Sequence, residues 1–414
     1  MIFFYLLVTQ MPLDQDPTWG KFLGAATLIK YLGLVCVFYA IVHLSVRRSS
    51  PRYLNTIQAR LFLVYLLFTF VSYWLMGPEF SLRSSPFLSF LSMAFLFFVV
   101  LSIVDTIPHL RWTLLAAVAS MGWASLFVVR AWMRHPTWRP GGATGDANYF
   151  ALDACLVLPL AFLFVWRSRV FWERTFALGC FVITLAATIL GASRGGLLAL
   201  AVSSIWFIWH SPRRIRNFVI MVIILLPPLL LLPSSPLRRF MHPQYGDLAG
   251  EQDRPIAWRA GIRMVGHHPL MGIGLGEFKP QMLNYADPGV SFSSIAHNTY
   301  LEVAAETGIP NFLVFIAMLF FAYRNLGQVR RRAADSGPPL LYLAATGIQA
   351  GLVGFLPGAF FLSAEYMKLF WLWMFLSMVL PSFLRVRNEK QREDKESVTT
   401  LAGGVPENAA VTAI

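Results

Sequence analysis

Charge is scarce in this chain. Of its 414 residues only 13% are charged, while 57% are hydrophobic and mean hydropathy is +0.59. A soluble domain carries about a quarter charged residues. No globular core could hide so much apolar surface, so a soluble fold is excluded and lipid is the expected solvent. Cysteine is rare as well. Cys36, Cys155 and Cys180 all lie in apolar stretches without paired spacing, which excludes a disulfide framework or a zinc site. The first apolar run, Ile2 to Val8, is followed by no small-residue cleavage site, so no cleavable signal peptide is expected. An internal repeat, the mark of an inverted-symmetry transporter, is also lacking.

What the chain does have is apolar length and aromatic mass. Its 35 Phe and 13 Trp suit a lipid-facing surface with interfacial aromatics. A spanning helix needs about 20 mostly apolar residues. Runs of this kind lie near 22–46, 59–77, 86–104, 112–133, 149–166, 171–191, 195–210, 217–233, 308–323, 340–356 and 365–384. They make about 11–12 transmembrane helices, counting residues 1–10 as a short extra candidate. Segment 195–210 is short for a span, so its neighbours must tilt or share depth with it.

The net charge of +13 invites a nucleic-acid reading, but the basic residues sit in short loops between apolar runs. That placement marks membrane orientation, and no nucleic-acid partner is expected. Alternate connections carry Arg47, Arg48, Arg52 and Arg60; Arg111; Arg167, Arg169 and Arg174; Arg213, Arg214 and Arg216; and Arg324 with Arg330 to Arg332. The C-terminal tail is basic too. The opposite short connections hold only Lys21, Arg83, Arg134, Arg139 and Arg194. The positive-inside rule then places the first set and the C-terminus in the cytoplasm.

The expected organisation is all-α and polytopic. N-terminal transmembrane helices fill 1–233, and one large loop with short helices fills 234–307 on the non-cytoplasmic side. C-terminal transmembrane helices fill 308–388, and 389–414 is a polar, disordered cytoplasmic tail. Loops beyond about 15 residues are usually functional or disordered. This one carries Trp258, Phe278, Tyr285 and Phe292, so it should fold and dock on the membrane domain.

Four segments carry groups with possible chemistry, all on the non-cytoplasmic side. In Gly191-Ala192-Ser193-Arg194-Gly195-Gly196 the arginine sits at the membrane boundary, where it either binds an anion or snorkels to lipid headgroups. In Asp253-Arg254-Pro255-Ile256-Ala257-Trp258-Arg259 the two arginines point in different directions on a helix. Arg254 is favoured as an anion ligand because it stands at the expected helix entrance, near 255. Arg259 reads more simply as a solvated face residue, with substrate contact as the sharper alternative.

The run His297-Asn298-Thr299-Tyr300-Leu301-Glu302 to Glu306-Thr307-Gly308 opens a helix. Asn298 or Thr299 caps it, and Glu302 falls where a capping-box acid would. His297 at the helix mouth has the pKa range of a proton-transfer group, although a lone histidine is more often structural. Glu302 and Glu306 share a helix face. They either orient His297 and bind sugar hydroxyls, or merely cap and solvate the helix end. Finally, Gly141 to Tyr149 is a tight turn with Asp146 or Asn148 as N-cap, and a glycan contact is the alternative for both. His267 and His268 point apart and no metal is expected there.

At these residues the chain resembles the O-antigen ligase and polymerase superfamily of bacterial envelope glycosyltransferases. The resemblance rests on Gly145 to Tyr149, Ser193 to Gly196, Arg254 to Trp258, His268 to Gly276 and, most specifically, His297 to Gly308. It implies a GT-C-like membrane fold with one large periplasmic loop, sited in the bacterial inner membrane. It also implies an undecaprenyl-diphosphate-linked glycan donor, a glycan or lipid A–core acceptor, and no cofactor or metal. Membrane lipids, and other polysaccharide assembly proteins, are the remaining expected partners. In that family two arginines bind the donor diphosphate and a histidine is the proposed base. The matching positions are Arg194, Arg254 and His297. Asp146, Asn148, Arg259, Asn298, Tyr300, Glu302 and Glu306 are expected to contact substrate. The expected activity is an inverting glycan ligase or polymerase. A transporter or flippase of an anionic or lipid-linked substrate is the main alternative, and a non-catalytic scaffold of an assembly machine is another.

Overall fold

A computed structural model describes residues 1–13, 28–47, 56–77, 85–135, 139–141, 145–211, 213–231 and 245–384. The expected tail lies outside these residues, as do 234–244 of the long loop and the start of the first expected span. The described residues form helices α1 (Ile2–Gln10), α2 (Leu28–Arg47), α3 (Ile57–Met76), α4 (Ser85–Ile103), α5 (Ile107–Arg134), α6 (Ala147–Arg167) and α7 (Phe171–Leu190). They continue with α8 (Arg194–Trp209), α9 (Arg214–Leu231), α10 (Tyr245–His267), α11 (Phe278–Tyr285), α12 (Thr299–Ser336) and α13 (Pro339–Ala359). A last apolar helix, α14, covers Lys368–Leu384. No strand occurs among the described residues. Eight of these helices are long and apolar enough to cross a membrane, and Ile2–Leu13, Arg194–Trp209 and Lys368–Leu384 are shorter apolar ones. Each apolar run expected as a span overlaps a helix among the described residues.

The centre of the bundle is α14. Trp371, Trp373, Phe370 and Phe375 are fully buried on it. A helix that is apolar all round belongs inside. The Trp373 indole donates to the Leu156 carbonyl of α6 at 2.8 Å. Small residues let α13 pack closely beside it. A Cβ at Gly351 would lie 2.5 Å from the Leu156 carbonyl oxygen, and one at Gly354 would lie 2.5 Å from the Ala199 carbonyl oxygen of α8. Membrane helices associate through such close backbone approach, because lipid tails offer no hydrophobic drive. Trp112, Trp123, Trp166, Trp172 and Trp209 are exposed on the outside, as a lipid-facing surface requires.

At the arginine-rich ends the polar groups pair. Arg111 Nε meets Glu173 Oε1 at 2.6 Å, and Asp105 lies 2.7 Å from His109 and 3.2 Å from His43.

The long loop folds on its own small core of Ala257, Met264, Ile273, Phe278, Met282 and Ala296, with Trp258 donating to the Ala296 carbonyl at 2.8 Å. It docks on the kink of α12. Gly308 has φ 84°, which breaks the helix there. The freed groups pair with the Pro269 to Gly276 run: Ile273 N to Ala305 O at 2.9 Å, Gly274 N to Glu306 O at 3.1 Å, and Ile309 N to Pro269 O at 2.8 Å. Glycine is required at Gly308, since a side chain would be strained at that φ and would overlap the Leu270 carbonyl.

One local expectation is corrected. The helix expected near 255–268 begins at Tyr245, so Arg254 lies in its interior and has no helix-entrance amides around it. Pro255 reads as a first-turn residue in the sequence, but here it removes one backbone donor without ending the helix. The helix that Asn298 opens starts at Thr299, as expected, and continues across the kink at Gly308 into the span expected from 308.

Candidate active site

The start of α6, the end of α7 and the start of α8 meet at Asn148. Its Oδ1 accepts from Arg139 Nη2 at 2.5 Å and from Ser193 Oγ at 2.8 Å. Arg139 Nε donates to the Gly191 carbonyl at 2.9 Å. Ser193 Oγ in turn accepts from Gly196 N at 3.0 Å and caps α8. Asp146 caps α6 by accepting from Asn148 N at 2.7 Å, the cap expected from the sequence. Arg194 is therefore the first residue of α8, held at a helix N-terminus where the backbone dipole disfavours a cation. A cation kept at such a position is a sign of function, because local preference has been overridden.

Arg139 lies within electrostatic range of Asp146, Arg194 and Arg254. Burial pulls its guanidinium down from the ordinary value; Asp146 opposes this, while Arg194 and Arg254 add to it. His297 is in range of Arg254, Asp146 and Asp253. Its pKa is lowered from 6.5, first by burial and then by the Arg254 charge, with the two aspartates opposing. Its Nδ1 is buried with no hydrogen-bond partner. The fold thus gathers Arg194, Arg254, His297, Asp146 and Asn148, with Arg139 as an additional member.

Backbone strain gathers at the same place. Among the described residues, the non-glycine positions with left-handed φ are Ala192 at 47° and His297 at 46°. One precedes the Ser193-Arg194 turn, and the other carries the imidazole. Strain of this sort persists where the surroundings over-determine it, often at active sites.

The remaining expected residues divide. Asn298 caps α12, its Oδ1 accepting from Tyr300 N and Leu301 N at 3.1 Å each. Glu302 then stands one position too late for a capping box, and it accepts instead from Ser363 Oγ. Tyr300 donates to the Leu356 carbonyl of α13 at 2.8 Å. Glu306 accepts from Phe278 N at 3.2 Å and so holds the start of α11. Both glutamates are buried and line a cavity beside the site. Arg259 sits apart from the cluster, 53% exposed and paired with Asp287 at 2.9 Å, as its solvated-face reading expected. Arg263 shares that carboxylate, and the two arginines hold it below the usual range. His268 bonds the Tyr285 hydroxyl at 2.9 Å, which gives it a structural role.

Three residues escape a sequence reading that follows motifs. Arg139 was visible only as one of few arginines on the outer side. Asp153 is an ionisable residue inside a span, in itself a signal of function. Glu365 looks peripheral in the sequence, but it is only 6% exposed.

Comparison with known proteins agrees with the geometry. The sequence model of the O-antigen ligase family matches residues 179–316, from within α7 to just past the kink of α12. The stretch contains Arg194, Arg254, His297 and the folded loop. No curated protein matches the chain. The resemblance to the O-antigen ligase and polymerase superfamily is borne out over this stretch and supports a ligase- or polymerase-type function, and eight helices of spanning length agree with a multi-pass membrane protein. The Gly145 to Tyr149 turn, Arg139, Asp153 and Glu365 lie outside the matched residues.

Proposed function

With residues 179–316 carrying an O-antigen ligase domain as the premise, we propose that this protein is an inverting, metal-independent glycosyltransferase of the bacterial inner membrane. Its donor is an undecaprenyl-diphosphate-linked glycan, bound at the periplasmic face. Its acceptor is another glycan or lipid A–core. What supports the reading is that Arg194 and Arg254 both lie within electrostatic range of Arg139, and Arg254 within range of His297. Two forked guanidiniums that share one neighbourhood suit the paired phosphates of a diphosphate.

In this reading Arg194 and Arg254 hold the diphosphate and neutralise the charge that grows on it as the glycosidic bond breaks. Preorganised charge of this kind is usually the largest single contribution to rate. Arg139 is a positioning residue: through Asn148 and Gly191 it fixes the turn that presents Arg194. His297, kept neutral by burial and by Arg254, takes the proton of the acceptor hydroxyl as that oxygen attacks the anomeric carbon from the opposite face. Lipid confines both substrates to one plane, so proximity contributes as well.

The test uses purified protein in proteoliposomes with extracted undecaprenyl-diphosphate glycan and acceptor. Arg254→Ala and His297→Ala should each lower transfer by roughly 10²–10³-fold, the effect of removing one charge-stabilising donor, at unchanged protein level. Full activity in either variant would remove its assigned role. Gel analysis of surface polysaccharide from a deletion strain separates a ligase, which leaves core without O-chain, from a polymerase, which leaves a single repeat unit on core.

A further inference from the structure

Beside the arginine cluster lies a cavity of about 470 Å³, within the range of roughly 300–1,000 Å³ for small-molecule sites. The Gly276 to Pro280 stretch of the folded loop bounds it on one side. Asp153 of α6 and Glu302 and Glu306 of α12 also line it, with Glu365 from the link between α13 and α14. It adjoins the proposed base: the Ala296 backbone, next to His297, hydrogen-bonds the Glu302 carboxylate.

The four acids are not equivalent. Glu302 and Glu306 have protein partners, Ser363 and Phe278 N. Asp153 Oδ1 and Glu365 Oε2 have none, although their residues are only 7% and 6% exposed. A buried carboxylate oxygen without a partner carries its full desolvation cost. Among the described residues no group donates to either atom, and the Tyr366 hydroxyl on the same cavity is unpartnered as well, so the cavity leaves two acceptors and a hydroxyl for a ligand. Lys279 and Lys368 line the same cavity and offset part of the acidic charge, so the ligand need not be a cation. Tyr149 and Tyr366 add aromatic faces, and Pro86 and Ile295 add apolar ones. Hydrogen-bond acceptors set among apolar and aromatic faces match a ring that carries hydroxyls on its edge and C–H groups on its faces.

We propose that this cavity is a saccharide subsite that holds one neutral sugar residue of the glycan, whose hydroxyls donate to Asp153 Oδ1 and Glu365 Oε2. The identity of the ligand as glycan rests on the transferase reading above, whereas the site itself rests on the cavity and its two unpartnered oxygens. Burial pushes the Glu365 carboxyl up to about 7, so it offers an acceptor without holding a full charge at neutral pH.

The experiment measures binding without turnover. Full-length protein in lipid nanodiscs is titrated with methyl glucopyranoside, methyl N-acetylglucosaminide and the cationic methyl glucosaminide, followed by saturation-transfer NMR and by thermal unfolding. At least one neutral glycoside should bind and raise the unfolding temperature. Asp153→Leu and Glu365→Met, which remove the acceptor oxygens at similar size, should each weaken that binding about tenfold, the factor set by one hydrogen bond of about 1.4 kcal/mol. Both variants should unfold at or above the wild-type temperature, since each replaces a buried unpartnered carboxyl by an apolar side chain of similar size, and that check separates lost binding from lost fold. Failure of both neutral glycosides to bind, wild-type binding by both variants, or binding of the cationic glycoside alone would overturn the proposal. Arg254→Ala supplies the separation from the transferase reading. Retained glycoside binding with lost transfer supports both. Retained binding with retained transfer leaves the subsite standing and removes the diphosphate role of Arg254.

Discussion

Arg139 shows how much one side chain decides at this site. Its fork bridges Gly191 and Asn148, two residues far apart in sequence, and so ties the end of α7 to the start of α6. Lysine has three donors on one nitrogen and lacks the rigid fork by which Nε and Nη2 reach these two separated acceptors. Arg139→Ala and Arg139→Lys should therefore both lower glycan transfer by about tenfold or more, the cost of a charge-assisted hydrogen bond of roughly 1.5–3 kcal/mol. The check is the transfer rate in proteoliposomes, with Arg259→Ala as the comparison, since that exposed residue should change the rate little. His297 sets the pH dependence. Its folded pKa lies below 6.5, so the neutral, proton-accepting form persists to lower pH than for a free imidazole. Activity should rise with pH through a midpoint below 6.5 and be flat from there to neutrality. A rate profile from pH 5 to 8 measures this, and a midpoint above 6.5 would contradict a base of this environment.

At the scale of elements, the decisive feature is the break in α12. The helix begins at a buried Asn298 cap, runs past Glu302 and Glu306, and breaks at Gly308 before continuing through the membrane. The break frees backbone groups that receive the Pro269 to Gly276 run, and in this way the folded loop is fixed over the cavity. Gly308→Ala would bring a Cβ into the Leu270 carbonyl at a positive φ. It should destabilise the protein by about 2 kcal/mol or more, combining overpacking with backbone strain. Thermal unfolding in detergent measures the loss, and faster proteolysis within 245–298 should accompany it. The sequence shows a helix start near Asn298 and glycine-rich turns around Pro269. It does not show that the two pair, because the pairing is between backbone groups and leaves no side-chain pattern. The start of α10 was hidden for a related reason. Pro255 is the strongest local stop signal there, and the helix continues through it.

At the scale of the molecule, loop charge divides the two ends of the bundle. The connections after α2, α6 and α8, the first turns of α5 and the last turns of α12 carry the arginines, while the candidate arginine site, the cavity and the folded loop gather at the opposite end. This predicts opposite labelling of two exposed sites. In a cysteine-free background, Leu283→Cys on α11 should react with an impermeant maleimide in spheroplasts. Ile215→Cys at the start of α9 should react only after permeabilisation. Their exposures are 47% and 83%, so neither is hidden by the fold. The reverse pattern would place the site in the cytoplasm and remove the periplasmic reading. A transport path is a poorer fit to this architecture. The buried acids of the cavity lie in the first turns of α6 and α12 and in the link between α13 and α14, and α14 fills the centre of the bundle with Phe370, Trp371, Trp373 and Phe375.

The sequence by itself determined the helical membrane fold, because apolar runs of spanning length have no other way to satisfy their backbone. It also determined which segments share a side, because arginine distributes by topology. Arg194, Arg254 and His297 were legible through motifs that combine glycine turns with charge at a boundary. Only the tertiary structure decided that Arg139 joins them, that Arg259 stands apart with Asp287, and that Asp153 and Glu365 share a cavity with unpartnered oxygens. Those outcomes depend on which faces of α6, α10, α12 and α14 meet. In a membrane, close packing of small residues settles that choice, and hydropathy does not encode it.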